Sequence, residues 1–181
     1  MEYVFLMFII IIFIATAGWF INTYNSFQRI GIKVEEADAG IDVSLTKRYD
    51  VLTSLVEVVK GYANYEKEVL VEVVQLRQGM SIKERTEVNQ KMDNNFEKIN
   101  VLVESYPNLK ANENFIQLQR TIVDVEDHLQ ASRRMYNSNV SIYNQLVQSF
   151  PSNLVASMIK VKEKDFFAVD EMKKETVKIA L

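Results

Sequence analysis

The chain of 181 residues contains no cysteine. Disulfide bonds, thiolate metal ligands, cysteine nucleophiles and acylation of a lipoprotein-type cysteine are therefore all excluded. Because there is no thiol to be oxidised or kept reduced, the sequence leaves the redox compartment of the protein open.

Proline and glycine are also scarce, with two and five residues respectively. A β-sandwich needs many turns and so needs more of both residues, whereas long helices need few interruptions. The predicted fold class is therefore all-α. Apart from an apolar run at the N-terminus, about 155 residues remain, which suits a single domain with its own core.

The only histidine is His128, and the residue three positions before it is Val125. A di-metal carboxylate site in a helical bundle needs paired Glu-x-x-His motifs, so that chemistry is excluded in its usual form. The chain also lacks a Gly-x-Ser-x-Gly pattern and a glycine-rich phosphate loop. No enzyme activity, catalytic residue, metal or cofactor is expected, and His128 is expected at the surface or boundary of the fold.

Charge of one sign is not in large excess. Charged residues make up 25% of the chain and the net charge is −3. A strongly basic surface, which would attract nucleic acid or an acidic membrane, is therefore not expected.

What the chain does have is a long apolar run from Tyr3 to Ile21, without a charged residue. As a helix this run would be roughly 28 Å long, close to the hydrocarbon thickness of a bilayer. Trp19 and Tyr24 lie where aromatic side chains prefer the membrane interface. Residues 1–24 are therefore predicted to form a transmembrane anchor that contacts lipid through residues 3–21.

The alternative is a cleaved signal peptide, because Ala15-Thr16-Ala17 fits a peptidase site. The missing basic n-region and the apolar residues that continue to Ile21 favour retention of the anchor. No cation precedes the run, whereas Arg29 and Lys33 follow it. This predicts an N-terminus outside and the remainder of the chain in the cytoplasm.

Heptad-like spacing of apolar residues predicts a long first helix after the anchor. Arg48 and Glu66 fill the two charged positions of this spacing, and the helix is predicted to end at Gln78-Gly79. It could be continuous with the anchor, or kinked near Thr53 or Gly61. The apolar positions are Ile41, Leu45, Leu52, Leu55, Val59, Tyr62, Val69, Val73 and Leu76.

A second helix is predicted to open at Ser81 with Glu84 as its capping box, and Pro107 is predicted to close it. A third helix is predicted after Asn108 as its cap. The core-facing positions of the second helix are Val88, Met92, Phe96, Ile99, Val103 and Tyr106. Those of the third are Phe115, Leu118, Ile122, Val125, Leu129, Ser132, Tyr136, Asn139, Tyr143, Leu146 and Phe150.

A short fourth helix is predicted within Leu154 to Val161, after Ser152. The short connections predict that consecutive helices are antiparallel, which gives an up-and-down bundle of three long helices and one short helix over residues 25–167. Residues 168–181 are predicted to form a charged C-terminal tail.

Several strings in this chain resemble the bacterial LemA family when they are taken together. They are Ala37-Asp-Ala-Gly-Ile41-Asp42-Val-Ser-Leu45-Thr-Lys47-Arg48-Tyr-Asp50, Val59-Lys60-Gly61-Tyr62-Ala63, Tyr106-Pro107-Asn-Leu109-Lys-Ala111, Arg134-Met-Tyr136-Asn137, Tyr143-Asn144 and Phe150-Pro151-Ser152-Asn153. The resemblance implies a single-pass protein of the bacterial inner membrane with a helical bundle inside. The family has no established molecular function, so the resemblance implies no catalytic residues.

The candidate functional residues are the polar ones at or beside core-facing positions. An unpaired buried charge is costly, so Arg48 and Glu66 need partners, and Glu126 and Arg133 on the third helix are the candidates. One hypothesis is that these residues line a polar groove between helices that holds a ligand. The alternative is that they form a charged pair that fixes the register of the helices. The full set is Asp42, Arg48, Glu66, Glu126, Arg133, Tyr136, Asn139 and Tyr143.

Tyr136 and Tyr143 lie seven residues apart on one face of the third helix. Stacked tyrosines of this kind are predicted to belong to the core, with a peptide-binding aromatic strip as the alternative.

The favoured function is a non-enzymatic, membrane-anchored scaffold or adaptor that presents its helical surface to protein partners, among them a second copy of the chain. The alternative is a sensor that holds a small molecule in a polar groove near Arg48. A hydrolase is the third and disfavoured hypothesis.

Overall fold

The computed structural model describes residues 1–62 and 80–167, and these ranges contain helices and no β-strand. The helices are α1 (Glu2–Tyr62), α2 (Ile82–Glu104), α3 (Pro107–Lys110), α4 (Glu113–Gln148) and α5 (Ser152–Met158). The all-α prediction is confirmed. Glu66, the predicted helix end at Gln78-Gly79 and the predicted tail 168–181 lie outside the described residues.

Helix α1 is continuous from the apolar run into the first helix that follows it. It passes through Thr53, whose hydroxyl donates a hydrogen bond to the carbonyl of Tyr49. By length and composition, α1 includes an apolar window that could cross a membrane, and none of that window is buried. Of the alternatives that the sequence left open, the structure shows the helix that is continuous with the apolar run.

The starts of α2 and α4 are set by side-chain caps. Ser81 and Glu84 form the predicted capping box of α2, in which each side chain accepts a hydrogen bond from the other residue's backbone N–H. The prediction that Asn108 caps the third helix is wrong, because Asn108 lies inside α3. Asn112 instead accepts a hydrogen bond from the backbone N–H of Phe115, at 3.1 Å, in the first turn of α4.

The described residues divide into two compact units, of which the second contains those within Asp38–Arg134 together with Phe166 and Phe167. Its core is built from the apolar positions that the sequence predicted on α1, α2 and α4. Leu55, Met92 and Ile99 are fully buried, and Leu109 of α3 joins the same cluster. Phe96 and Tyr106 are only partly buried against it.

In this second unit, α2 runs parallel to α1 where the two helices pair. Asp38 contacts Arg85, and ten residues later Arg48 contacts Asp93, so the contacts advance in the same direction along both helices. The prediction that consecutive long helices are antiparallel is therefore wrong for α1 and α2. It assumed a short connection at residues 79–83, and residues 63–79 lie outside the described residues.

Helix α4 runs antiparallel to α1 within the second unit. Arg48 of α1 faces Glu126, whereas Gly40, earlier on α1, faces the later residue Ser132. The contacts therefore move in opposite directions along the two helices. An up-and-down bundle makes the first and third long helices parallel, so the predicted topology is wrong for this pair as well.

The first unit contains Met1–Ala37 and Met135–Asp165. The ring of Phe27 on α1 meets the ring of Tyr143 on α4 edge to face, with ring centroids 5.9 Å apart. The prediction that Phe150 faces the core is wrong, since 80% of it is exposed. The helical spacing stops applying there because α4 ends at Gln148.

Candidate functional site

The candidate functional site is a cluster around Arg48, whose side chain is only 3% exposed. Its two terminal nitrogens donate hydrogen bonds to Oδ1 of Asn89 and Oδ1 of Asp93 on α2. The first of these nitrogens also forms an ion pair with Oε2 of Glu126 on α4, at 3.0 Å. One guanidinium therefore joins α1, α2 and α4.

Arginine suits this position because its planar fork of donors can serve several acceptors at once. Burying a charge is costly unless it is paired and hydrogen-bonded, and here each terminal nitrogen of Arg48 has a partner. The carboxylates of Asp93 and Glu126 remain partly exposed, at 33% and 24%. They therefore keep some hydration while they compensate the buried cation.

A second cluster in the same unit is centred on Arg85 of α2, whose side chain is 7% exposed. It donates hydrogen bonds to the carboxylates of Asp38 and Asp42 on α1, at 2.7 and 2.8 Å. Burial by itself would lower the pKa of Arg85, but these hydrogen bonds and negative charges outweigh it and raise the pKa above its ordinary value. Arg85 is therefore held in its charged form.

The two clusters give α1 and α2 complementary charge patterns. Along α1 the acids Asp38 and Asp42 come before the cation Arg48, whereas along α2 the cation Arg85 comes before the acid Asp93. Reversing α2 against α1 would bring the two arginines together and the acids together. The clusters therefore favour one direction and one register for this helix pair.

Only part of this site is predictable from the sequence. The predicted pairing of Arg48 with Glu126 is present. Asn89, Asp93 and Arg85 were missed, although Arg85 lies three residues before Val88 and extends the heptad-like spacing of α2 toward its N-terminus. That spacing was the signal by which Arg85 could have been found.

Arg133 and Asn139 lie on α4 and are placed in different units. The guanidinium of Arg133 stacks over the ring of Phe167, at 4.8 Å from the ring centroid. The side chain of Asn139 donates a hydrogen bond to the carbonyl of Lys33, at 3.0 Å. Asn139 is half-buried, and the core position beside it is occupied by the fully buried Val140.

Tyr136 and Tyr143 are both buried in the first unit, which confirms the prediction that they belong to the core. The hydroxyl of Tyr136 donates a hydrogen bond to the carbonyl of Asp165, at 3.1 Å. With only 4% and 6% of these residues exposed, the alternative of an accessible aromatic strip does not fit. His128 is exposed, as predicted.

Burial raises the pKa of the Tyr143 phenol above its ordinary value, because the phenolate would lose hydration in the folded state. The unfolded chain releases this proton near pH 10, before the folded chain does. The protonated Tyr143 therefore makes its full contribution to the free energy of unfolding below about pH 10. This contribution is lost as the pH rises through the pKa of Tyr143 in the folded state.

We therefore expect the stability of the wild type to fall faster than that of Tyr143→Phe as the pH rises above about 10. Urea unfolding of both proteins across neutral and alkaline pH measures this. The difference between the free energies of unfolding of the two proteins at neutral pH gives the pH-independent cost of losing the hydroxyl. A constant difference across the whole range would contradict the expectation.

Two comparisons place this chain among known proteins. The model of a family described as the LemA family matches residues 37–181, which include both arginine clusters. A relative named Protein LemA, from Metamycoplasma hominis, is 27% identical over 179 residues, covering 94% of this chain and 82% of that protein. The resemblance noted from the sequence strings is confirmed.

Proposed function

The chain belongs to the LemA family, and from that premise we propose that it is a non-enzymatic scaffold or adaptor held at a bilayer by residues 3–21. The observation that carries the proposal is the continuity of α1. One helix supplies both the uncovered apolar run and the residues Asp38, Asp42 and Arg48 of the two buried clusters.

The bilayer is proposed because the apolar run is left uncovered. Every residue from Met1 to Thr16 is exposed, and ten of them are large and apolar between Val4 and Phe13. Apolar surface in water costs roughly 25 cal/mol per Å², so a helix of this length needs an apolar environment. Arg29 and Lys33 support a cytoplasmic placement of the residues after it, in the inner membrane of a bacterium.

The sensor hypothesis is less well supported because the two terminal nitrogens of Arg48 already have partners within the chain. Both terminal nitrogens of Arg48 contact acceptors from the chain itself, at Asn89, Asp93 and Glu126. An anionic ligand would have to displace these contacts. The arrangement supports a role in holding helices together and leaves recognition to the outer surface.

For the partner-binding surface, Val123 on α4 offers a defined probe position, since its side chain is 57% exposed. A photo-crosslinking residue at Val123, in the full chain in native membranes, should join one reproducible neighbour, a protein or a second copy of the chain. The same probe at exposed Lys83 on α2 is the matched control. The purified neighbour should then bind the wild type, and Val123→Glu should weaken that binding at least about tenfold, or 1.4 kcal/mol.

The contact should survive His128→Ala, because no reaction is proposed. The proposal is contradicted if purified protein turns over a metabolite and His128→Ala abolishes the turnover. A stoichiometric small molecule released on denaturation, and lost in Arg48→Ala, would favour the sensor instead.

A further inference from the structure

In the first unit, two segments lack charge over a long distance. Residues 3–28 of α1 contain no charged side chain, and neither do residues 135–159, which run through the end of α4 and all of α5. A quarter of the residues in the whole chain are charged. The second uncharged segment is not an extension of the anchor, and it therefore needs its own explanation.

Helix α5 has no charged residue, and it places apolar side chains on both its buried and its exposed side. Val155 and Ala156 are buried, whereas Leu154 and Met158, one turn apart on another face, are 55% and 70% exposed. Phe150, just before α5, is 80% exposed. We refer to Phe150, Leu154 and Met158 as the apolar tip. A helix without charge on its outer side is unusual at a surface that faces water.

The contacts within this unit place the apolar tip at the same height along the axis of α1 as the end of the apolar run. Asn139 contacts Lys33, and Tyr143 contacts Phe27, so α4 runs toward the N-terminus of α1. Gln148, the last residue of α4, comes five residues after Tyr143. It is therefore level with roughly Asn22, five residues before Phe27, since both helices rise at the same rate per residue. Asn22 lies between Trp19 and Tyr24. Phe150 follows two residues after Gln148.

Cations follow both uncharged segments at a similar level. Arg29 and Lys33 come after the segment on α1, and Lys160, Lys162 and Lys164 come after α5. The backbone N–H of Lys164 donates a hydrogen bond to the side chain of Asn144, at 2.9 Å. Lys164 is thus held beside Tyr143, on the side of the apolar tip away from the start of α1.

We propose that the apolar tip lies in the interfacial layer of the same bilayer that holds the apolar run. It gives the protein a second lipid contact, made by Phe150, Leu154 and Met158. The lysines after α5 then lie at the level of the lipid headgroups, where cations are favoured. This inference rests on the proposed anchoring of α1 and adds a membrane contact made by a segment far from it in the sequence.

The test uses the single tryptophan of the chain, Trp19, as an internal reference. Full-length protein is reconstituted in vesicles of phosphatidylcholine and phosphatidylglycerol, with acyl chains brominated near the headgroup as the quencher. The wild type is compared with Trp19→Phe/Phe150→Trp and with Trp19→Phe/Met135→Trp. Met135 is the matched control because it is also exposed, at 64%, and lies at the other end of the same segment.

We expect bromolipid to quench the tryptophan of Phe150→Trp about as strongly as Trp19, and to leave that of Met135→Trp nearly unquenched. If only Trp19 is quenched, the tip does not touch lipid and the anchoring stands. If Trp19 itself is not quenched, the anchoring fails, and this inference fails with it.

Two further results would overturn the inference. Equal quenching at Phe150 and Met135 would mean that lipid contact is not specific to the tip. A blue-shifted emission from Phe150→Trp without quenching would mean that protein covers the tip, as in a contact with a second copy of the chain.

Discussion

The variants Leu55→Asp and Ile122→Asp are each expected to unfold the part of the chain that follows the apolar run. Leu55 is completely buried and Ile122 is 2% exposed, and both belong to the core cluster of the second unit. Each change removes a packed side chain, at about 2–5 kcal/mol, and also buries a carboxylate without a partner. The sum approaches the whole stability of a typical domain, about 5–15 kcal/mol.

Thermal unfolding of the full chain in detergent, followed by far-ultraviolet circular dichroism, measures this effect. The apolar run stays helical in a micelle, so the lost signal belongs to the rest of the chain. Lys83→Asp is the matched control, since Lys83 is exposed on α2 and should change little. Equal melting temperatures for all three variants would mean that the apolar spacing identifies the wrong face.

Arg48→Ala is expected to lower the free energy of unfolding by about 3–5 kcal/mol. The loss comes chiefly from Asp93 and Glu126, which would stay partly buried beside a cavity that no longer contains a cation. For a chain of this size the melting temperature should fall by roughly 10 °C. Arg120→Ala is the control, because Arg120 is exposed on the same helix as Glu126.

A rescue variant separates electrostatics from packing. Arg48→Met with Asp93→Asn and Glu126→Gln removes the cation and both carboxylates while keeping similar volume. It should recover much of the stability lost in Arg48→Ala, since uncharged replacements of a buried ion cluster are often neutral or stabilising. A melting temperature for Arg48→Ala equal to that of Arg120→Ala would show that the cluster does not stabilise the fold.

Local chemistry explains which parts of the fold were predictable. The capping box of Ser81 and Glu84 acts within one turn, so the start of α2 followed directly from the sequence. The true start of α4 was missed because Asn108 and Asn112 offer the same side chain four residues apart. Only the short helix α3 between them decides which asparagine caps α4.

The sequence also predicted how one unexpected residue would be accommodated in the core. Arg48 occurs at a position where the spacing demands an apolar side chain, and Glu126 was identified as a partner because it flanks the core-facing row of α4. Arg85 was not predicted in the same way, because it lies before the first apolar position assigned to α2. The acids that it contacts, Asp38 and Asp42, are 47 and 43 residues away in the sequence.

By itself, the sequence determined the all-α class, the uncovered apolar run, the family, and which faces of α1, α2 and α4 are buried. The family follows from the resemblance of several sequence strings, whereas the other properties depend on composition and on spacing within a single helix. Only the tertiary structure decided that α2 runs parallel to α1 and that Arg48 and Arg85 each bind acids of the other helix. Apolar spacing has the same period in either direction along a helix, so it identifies a buried face without specifying the direction of the partner. Contacts between side chains 41–47 residues apart supply that information.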